Sequence, residues 1–173
     1  MSLEVLGLPG RDEATVAWLG ELLESLALDT AVRRVQRYRF WAQGTPPDVD
    51  TEARLAGAAG ADVVVAKSMG TLVAINARQH GLRPRRSVFI GTPIAHYQAP
   101  QHALLKQYCA SGAVLFIQQT DDFTGSFGAV AAAVAALPGC RSLEVAGSDH
   151  RYDDIGACSD AIAGWLAGAG DSR

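Results

Sequence analysis

The sequence predicts an α/β fold in which a doubly wound, mostly parallel sheet of six strands carries helices on both faces. Two observations lead to this fold class. Short apolar runs, which suit buried strands, alternate six times along the chain with longer segments of helical periodicity. The 173 residues are 49% hydrophobic and 19% charged, which is the composition of a folded globular domain. We therefore expect a single domain over residues 1–173, with right-handed crossovers between parallel strands.

The elements follow from these two periodicities. Strands are predicted at Leu3 to Leu8, Val32 to Phe40, Asp62 to Ala66, Ser87 to Ile90, Val114 to Gln118 and Ser142 to Val145. Helices are predicted at Glu13 to Leu26, Thr51 to Ala59, Met69 to His80, Gln101 to Ala110, Ser126 to Leu137 and Asp154 to Leu166. Ligands bind such sheets at the carboxyl ends of the strands, so functional residues are expected directly after them.

The second predicted strand is unusually basic. Its segment AVRRVQRYRF contains four arginines, which a central strand buried on both faces could not accommodate. We therefore predict an edge strand, where charged side chains discourage pairing with other sheets. A basic docking surface that also includes Arg83, Arg85 and Arg86 is the functional alternative.

Charge and cysteine content argue against several other classes of protein. The net charge of −3 predicts no general attraction to nucleic acid or to a membrane surface. The three cysteines are not closely spaced, and no cluster of histidine, cysteine and carboxylate suggests a metal, so neither a disulfide framework nor a metal or other cofactor is expected. The sequence shows neither a signal peptide nor a long apolar run, so we expect a cytoplasmic protein. We expect it to be a monomer or a homodimer, since an exposed edge strand could pair with a second copy.

A serine lies directly after the third predicted strand. The strand ADVVVA is followed by Lys67-Ser68-Met69-Gly70, where a helix begins at once. Such a reversal presents the serine hydroxyl above the sheet, and small residues two positions before and after it, here Ala66 and Gly70, let strand and helix approach. The pattern is a variant of G-x-S-x-G. Lys67 is interpreted as a charge that is either solvated or placed in the second layer of side chains around the site, with contact to a substrate carboxylate as the alternative.

Two later strand ends offer partners for this serine. A serine hydroxyl is a weak nucleophile and needs a base within hydrogen-bond reach, which a third group must orient. Asp149-His150 follows the strand in LEVAGS, and Asp121-Asp122 follows the strand in VLFIQQT. We predict Ser68, His150 and Asp122 as catalytic residues, with Asp121 as the alternative acid.

The order Ser68, Asp122, His150 on three strand ends resembles that of the α/β-hydrolase superfamily. The strings AKSMG, LFIQQTDD and GSDH look similar to the short, lidless branch of that superfamily, which is related to dienelactone-hydrolase-like proteins. The branch usually reads Gln-Gly-x-x-Asp after the acid-bearing strand, and aligning its first glutamine with Gln118 puts Asp122 at the acid. The resemblance implies a minimal version of the α/β-hydrolase fold and no cofactor.

The resemblance also implies a reaction. It is a serine hydrolase that cleaves small soluble carboxylic esters or thioesters through an acyl-enzyme intermediate. The oxyanion hole would use the N–H of Met69 and a second N–H from Gly10 or Arg11, because Pro9 has no N–H to donate. Family members commonly carry His-Gly at this loop. The departure at Pro9 keeps a second interpretation open, that of a catalytically weak or inactive hydrolase-like module that binds or interacts.

The pocket is expected to be shallow and open. No long insertion separates any strand from its helix, so a lid domain is not predicted. Loop residues at the strand ends would form the walls. Possible substrate contacts are Trp41, Thr92, Tyr97 and Phe123, with ordinary packing as the alternative for each aromatic side chain.

Overall fold

The computed structural model describes residues 2–28 and 31–168, and the other residues of the predicted domain lie outside these ranges. Within them the chain forms six strands and seven α-helices. The strands are β1 (Glu4–Leu8), β2 (Val32–Val35), β3 (Val63–Lys67), β4 (Arg86–Ile90), β5 (Ala113–Gln119) and β6 (Cys140–Val145). The helices are α1 (Thr15–Ser25), α2 (Arg39–Gln43), α3 (Val49–Ala59), α4 (Met69–Ala77), α5 (Ala99–Cys109), α6 (Phe127–Val134) and α7 (Ile155–Gly168).

The strands form one sheet in the order β2-β1-β3-β4-β5-β6. Every neighbouring pair in it is parallel, so the predicted fold class is confirmed. Strands β1 and β3 are neighbours in the sheet. Beyond β1 lies β2, and beyond β3 lie β4, β5 and β6 in chain order. The loops after β1 and β3 therefore flank a topological switch point, where a crevice forms at the carboxyl edge of the sheet.

Helices cover both faces of the sheet. Helices α1 and α7 cover one face. There Leu19, Leu22 and Ile162 are buried against the apolar side chains that β3, β4 and β5 direct toward this face. Helices α3 to α6 cover the other face, where Val73 and Leu105 are fully or nearly fully buried. This double cover is why the central strands are apolar along their length. None of the described helices is long and apolar enough to cross a membrane.

The basic strand β2 lies at the edge of the sheet, as predicted. It is shorter than predicted, because the chain leaves the sheet after Gln36, whose N–H donates to Gly7 O at 2.9 Å. The next residues turn inward: Tyr38 is 2% exposed, and helix α2, which the sequence did not predict, begins at Arg39. The Arg39 N–H donates to the buried Glu52 carboxylate at 2.6 Å, which ties this segment to α3.

Two arginines of β2 bind the ends of helices on opposite faces of the sheet. Arg33 donates to the carbonyls of Leu23, Leu26 and Leu28 at 2.8–3.1 Å, at and after the end of α1. Arg34 donates to the carbonyls of Ala59 and Gly60 at the end of α3. Cations are favoured at helix C-termini, where carbonyls lack intrahelical partners. Helix capping therefore accounts for two of the four arginines in this segment.

Helix α4 packs unusually close to the loop after β1. A Cβ atom added to Gly70 would lie 2.0 Å from Leu8 O and 2.7 Å from Pro9 O, which no side chain could tolerate. Ala66, at the other small position of the motif, is fully buried. The two small residues thus bring the start of α4 against the loop that contains Gly10 and Arg11.

Candidate functional site

Ser68 occupies a strained turn between β3 and α4. Its φ of 51° and ψ of −119° are rare for a residue with a side chain. Hydrogen bonds hold the turn on both sides: the Ser68 N–H donates to Ile90 O at 2.9 Å, and the Ser68 carbonyl accepts from the N–H and hydroxyl of Thr71 at 2.9 and 2.8 Å. The strain is therefore compensated by the surrounding structure, which holds the hydroxyl at the carboxyl edge of the sheet.

A continuous chain of hydrogen bonds leads away from this hydroxyl. Ser68 Oγ lies 2.8 Å from His150 Nε2. On the other side of the ring, His150 Nδ1 lies 2.7 and 3.0 Å from the two carboxylate oxygens of Asp122. The structure thus brings together the three side chains predicted from the sequence, from the ends of β3 and β5 and from the loop after β6. Asp121 is exposed, and its N–H donates to Gly147 O, so the alternative acid lies outside this chain.

Asp122 is surrounded by hydrogen-bond donors. Burial opposes its ionisation, but hydrogen bonds from His150, Thr124 and Tyr152 outweigh burial and lower the pKa of Asp122 to about 2. Thr124 donates through its N–H at 2.9 Å and its hydroxyl at 2.8 Å, and the Tyr152 hydroxyl donates at 2.8 Å. The carboxylate is therefore ionised across the working range of pH and can hold the imidazole in one orientation.

This pKa predicts acid sensitivity of the fold. Because the pKa of Asp122 falls from 3.8 to about 2 on folding, the carboxylate stabilises the protein above pH 4 and loses that effect as pH falls toward 2. The difference corresponds to about 2 kcal/mol of unfolding free energy. We expect the free energy of unfolding, measured with urea, to fall between pH 5 and pH 2 by about 2 kcal/mol more in wild type than in Asp122→Asn. Asp121→Asn is the control and should follow wild type; equal losses in wild type and Asp122→Asn would contradict this explanation.

The residues that support the Asp122 and His150 side chains were not predicted from the sequence. Gln119 accepts the His150 N–H at 2.8 Å through its side chain, and its own N–H donates to the Tyr152 hydroxyl at 2.9 Å. Thr124 and Tyr152 each lie two positions after a predicted catalytic residue. That proximity, for two polar side chains in short loops, is the signal that could have found them. Nothing local distinguishes Gln119 from its neighbour Gln118, because the role of Gln119 depends on contacts with the loop after β6.

Of the two interpretations of the Lys67 charge, solvation is wrong, and a place in the second layer of side chains around the site agrees with the structure. Its side chain is buried, with the residue 3% exposed, and its ammonium donates to the backbone carbonyl of His150 at 2.8 Å. Burial lowers the pKa of Lys67 to about 8, and the carboxylates of Asp122 and Asp149 partly offset that effect. The ammonium therefore contacts the His150 backbone, and the side chain, although buried, forms part of the wall of the cleft over Ser68.

The predicted oxyanion donors differ in their availability. Met69 begins α4, and the first N–H groups of a helix lack intrahelical acceptors, so its N–H suits the predicted role. The N–H of Gly10 already donates to Thr15 Oγ1 at 2.8 Å. The structure therefore does not support Gly10 as the second donor, and Arg11 is the remaining candidate of the two.

Two aromatic side chains hold the loop that contains Arg11. The Tyr38 hydroxyl donates to Pro9 O at 2.8 Å, and Trp41 Nε1 donates to Arg11 O at 2.9 Å. The peptide group between Gly10 and Arg11, which carries the Arg11 N–H, lies between these two fixed carbonyls. Trp41, predicted as a possible substrate contact, thus binds the backbone of this loop.

An open cleft of about 420 Å³ lies over Ser68 and His150. Its walls include the predicted contact Phe123, together with Arg11, Trp18 and Arg151. Phe123 is 72% exposed, with its ring centroid 5.6 Å from that of His150.

The predicted substrate contacts at Thr92 and Tyr97 are wrong, and for Tyr97 the alternative of ordinary packing holds. Thr92 is fully buried, and its N–H donates to Gln118 at 2.8 Å. Tyr97 is buried with its hydroxyl 2.9 Å from that of Thr71. Their loop folds down onto the sheet, which removes both side chains from the cleft.

The loop after β4 contributes space rather than a side chain. Gly91 has a φ of 61°, and a Cβ atom there would lie 2.9 Å from the Tyr152 ring and 3.0 Å from His150 Cε1. The His150 ring therefore occupies room that any residue other than glycine would fill.

Comparisons with known proteins identify the fold. No protein-family model and no curated protein sequence matches the chain. Its structure is similar to that of YbtT, the type II thioesterase from the yersiniabactin NRPS/PKS biosynthetic pathway, with a TM-score of 0.62 at 13% identity over 96% of this chain and 92% of that one. RedJ, solved with a polyethylene glycol molecule in its active site, gives a TM-score of 0.59 at 12% identity over 92% and 89% of the two chains. At these identities the likenesses show the fold alone: the chain has the α/β-hydrolase fold.

Proposed function

We propose that this protein is a serine hydrolase that cleaves small soluble carboxylic esters or thioesters through an acyl-enzyme intermediate. The observation that carries the proposal is the unbroken hydrogen-bonded chain from Ser68 Oγ through the His150 ring to the buried Asp122 carboxylate. Such a chain makes a serine hydroxyl nucleophilic, because the base removes the proton as the new bond forms.

In the first half of the reaction Ser68 Oγ attacks the carbonyl carbon of the substrate, and its proton moves to His150 Nε2. Asp122 stabilises the imidazolium and keeps Nδ1 protonated. The negative charge on the tetrahedral oxygen is held by the N–H groups of Met69 and Arg11. The carbon–oxygen or carbon–sulfur bond to the leaving group then breaks, and the leaving group takes the proton from His150. The acyl group remains esterified to Ser68.

The second half repeats these steps with water as the nucleophile. His150 Nε2 accepts a proton from water while the water oxygen attacks the acyl carbon. The tetrahedral intermediate uses the same two N–H groups and then collapses, returning the proton to Ser68 Oγ. The carboxylic acid leaves, and the site regains its starting protonation state.

The shape of the cleft supports small substrates. A volume of about 420 Å³ lies in the lower part of the range of small-molecule sites. The exposed ring of Phe123 offers an apolar surface beside His150, and the neighbouring Arg11 and Arg151 make the rim polar. The likeness to YbtT, a thioesterase, adds support for thioesters within this class, at the level of fold.

A labelling experiment tests the proposal. We expect a fluorophosphonate probe to modify the folded protein once, at Ser68, because the probe reacts with activated serines. Intact-protein and peptide mass spectrometry would locate the adduct, and the heat-denatured protein is the control. Turnover of p-nitrophenyl acetate and of a short acyl thioester should accompany labelling.

A second function is favoured by one specific observation. Because the Gly10 N–H is engaged by Thr15, the oxyanion hole depends on Arg11 for its second donor. If the folded protein neither reacts with the probe nor hydrolyses either substrate, the serine-hydrolase proposal fails. The site would then be that of a hydrolase-like module that binds ligands without turning them over.

A further inference from the structure

Lys67 directly precedes Ser68 in the sequence, but its buried ammonium has no part in the reaction described above. Its Nζ donates to His150 O at 2.8 Å and lies 4.5 Å from the centre of the Tyr152 ring and 5.9 Å from that of Trp18. Burying a lysine costs free energy unless its charge is compensated. The contacts that compensate it are concentrated on the segment that contains His150.

That segment has an unusual backbone. His150 has a φ of 62° and Tyr152 a φ of 63°, a region that residues with side chains rarely adopt. Such conformations persist only where the surroundings hold them. Gln119 accepts the His150 N–H, Trp18 Nε1 donates to Tyr152 O at 3.1 Å, and Lys67 binds the His150 carbonyl. The strained turn is thus fixed on the N–H side by β5 and on the carbonyl side by β3 and α1.

We propose that Lys67 is a positioning residue, whose ammonium holds the backbone of His150 in the strained conformation that keeps Nε2 within reach of Ser68 Oγ. This inference rests on the proposed function. Lys67 and Ser68 are consecutive, so one short stretch of chain sets both the nucleophile and the backbone of its base. A charged donor suits the task because hydrogen bonds from ammonium groups are stronger than those from neutral donors.

The surroundings of Lys67 favour this role over contact with a substrate carboxylate. The residue is only 3% exposed, and one of its three N–H donors is already used by His150 O. Several acidic groups act on the ammonium and already compensate part of its charge. The titratable groups around it, from the loops after β5 and β6 and from α7, are Asp122, Asp149, His150, Tyr152, Asp153 and Cys158.

Lys67→Met tests the proposal, since methionine fills similar space without the charge or the hydrogen bond. We expect kcat for p-nitrophenyl acetate to fall by about 10- to 100-fold, as a small misplacement of a catalytic group can do, while KM stays within twofold. Lys106→Met is the matched control, because Lys106 is exposed on α5 and should leave kcat unchanged. A rise in KM at constant kcat would indicate substrate binding instead and would overturn the proposal.

The pH profile and the melting temperature separate positioning from support of the fold. Because the pKa of Lys67 is about 8, wild-type kcat should decline above pH 8 as the ammonium loses its charge, and Lys67→Met should lack that decline. Its melting temperature should stay within about 4 °C of wild type, since an apolar side chain also removes the cost of burying charge. A large loss of thermal stability with an unchanged pH profile would show that Lys67 serves only the fold.

The two proposals can fail separately. If wild type does not react with the fluorophosphonate probe, the proposed function itself is wrong. If wild type reacts and Lys67→Met reacts at the same rate, the protein is a serine hydrolase and the role given to Lys67 is wrong. A slowed reaction of Lys67→Met, with normal labelling of Lys106→Met, supports both.

Discussion

Ser68→Ala is expected to lower kcat for p-nitrophenyl acetate by about 10⁴- to 10⁶-fold and to abolish labelling by a fluorophosphonate probe. The alanine lacks the only atom that forms the covalent intermediate, while the His150 ring and the backbone donors remain. Any residual rate would come from water attacking substrate held in the cleft.

The fold of this variant should survive, because alanine can occupy the same turn with the same hydrogen bonds to its N–H and carbonyl. Loss of the bond to His150 changes the melting temperature by about 4 °C or less. Ser111→Ala, on the surface before β5, is the control and should retain full activity and labelling at Ser68. Hydrolysis by Ser68→Ala at the wild-type rate would refute the acyl-enzyme mechanism.

Asp122→Asn should have the next largest effect, a loss of about 10³- to 10⁴-fold in kcat. An amide at this position can donate a hydrogen bond to His150 Nδ1, which shifts the proton of the ring to Nε2. A protonated Nε2 facing Ser68 Oγ cannot accept its proton. The substitution also changes the group that faces the Tyr152 hydroxyl, which in wild type donates a hydrogen bond to the Asp122 carboxylate at 2.8 Å.

Asp121→Asn provides the matched control for this variant. Asp121 is adjacent in sequence but exposed, and its side chain makes no contact with the His150 ring in the described structure. We expect its kcat to remain within about twofold of wild type, as is usual for a surface substitution of small energetic effect. If Asp121→Asn were the inactive variant and Asp122→Asn the active one, the assignment of the acid would have to be reversed.

Much of the fold could be predicted because its signals are local. Apolar runs alternating with helical segments indicated a parallel sheet, and four arginines in one run indicated an edge strand. The end of that strand could not be predicted, since Tyr38 and Phe40 continue a strand-like pattern. Tyr38 is instead buried and donates a hydrogen bond to Pro9 O, in a loop 29 residues earlier in the chain.

The residues of the candidate site likewise fall into two groups, those that local sequence signals predict and those that depend on long-range packing. Ser68, Asp122 and His150 could be predicted because each follows a strand, and parallel strands end at one edge of the sheet. Thr92 follows a strand equally closely, yet it is buried by a loop whose path the local sequence does not reveal. The burial of Lys67 depends on Trp18 and Tyr152, which come from distant parts of the chain. Side chains that act through long-range packing have no periodic signal.

The glycine at position 91 limits where this protein can change its preference for substrates. Because the imidazole ring stands in the room left by Gly91, the rim above the fourth strand cannot be enlarged with a new side chain without displacing the base. On the proposed function, variation in substrate preference is expected at other lining positions of the cleft, such as Arg11 and Phe123. Directed evolution toward bulkier or charged acyl groups should therefore diversify those two positions and leave Gly91 untouched.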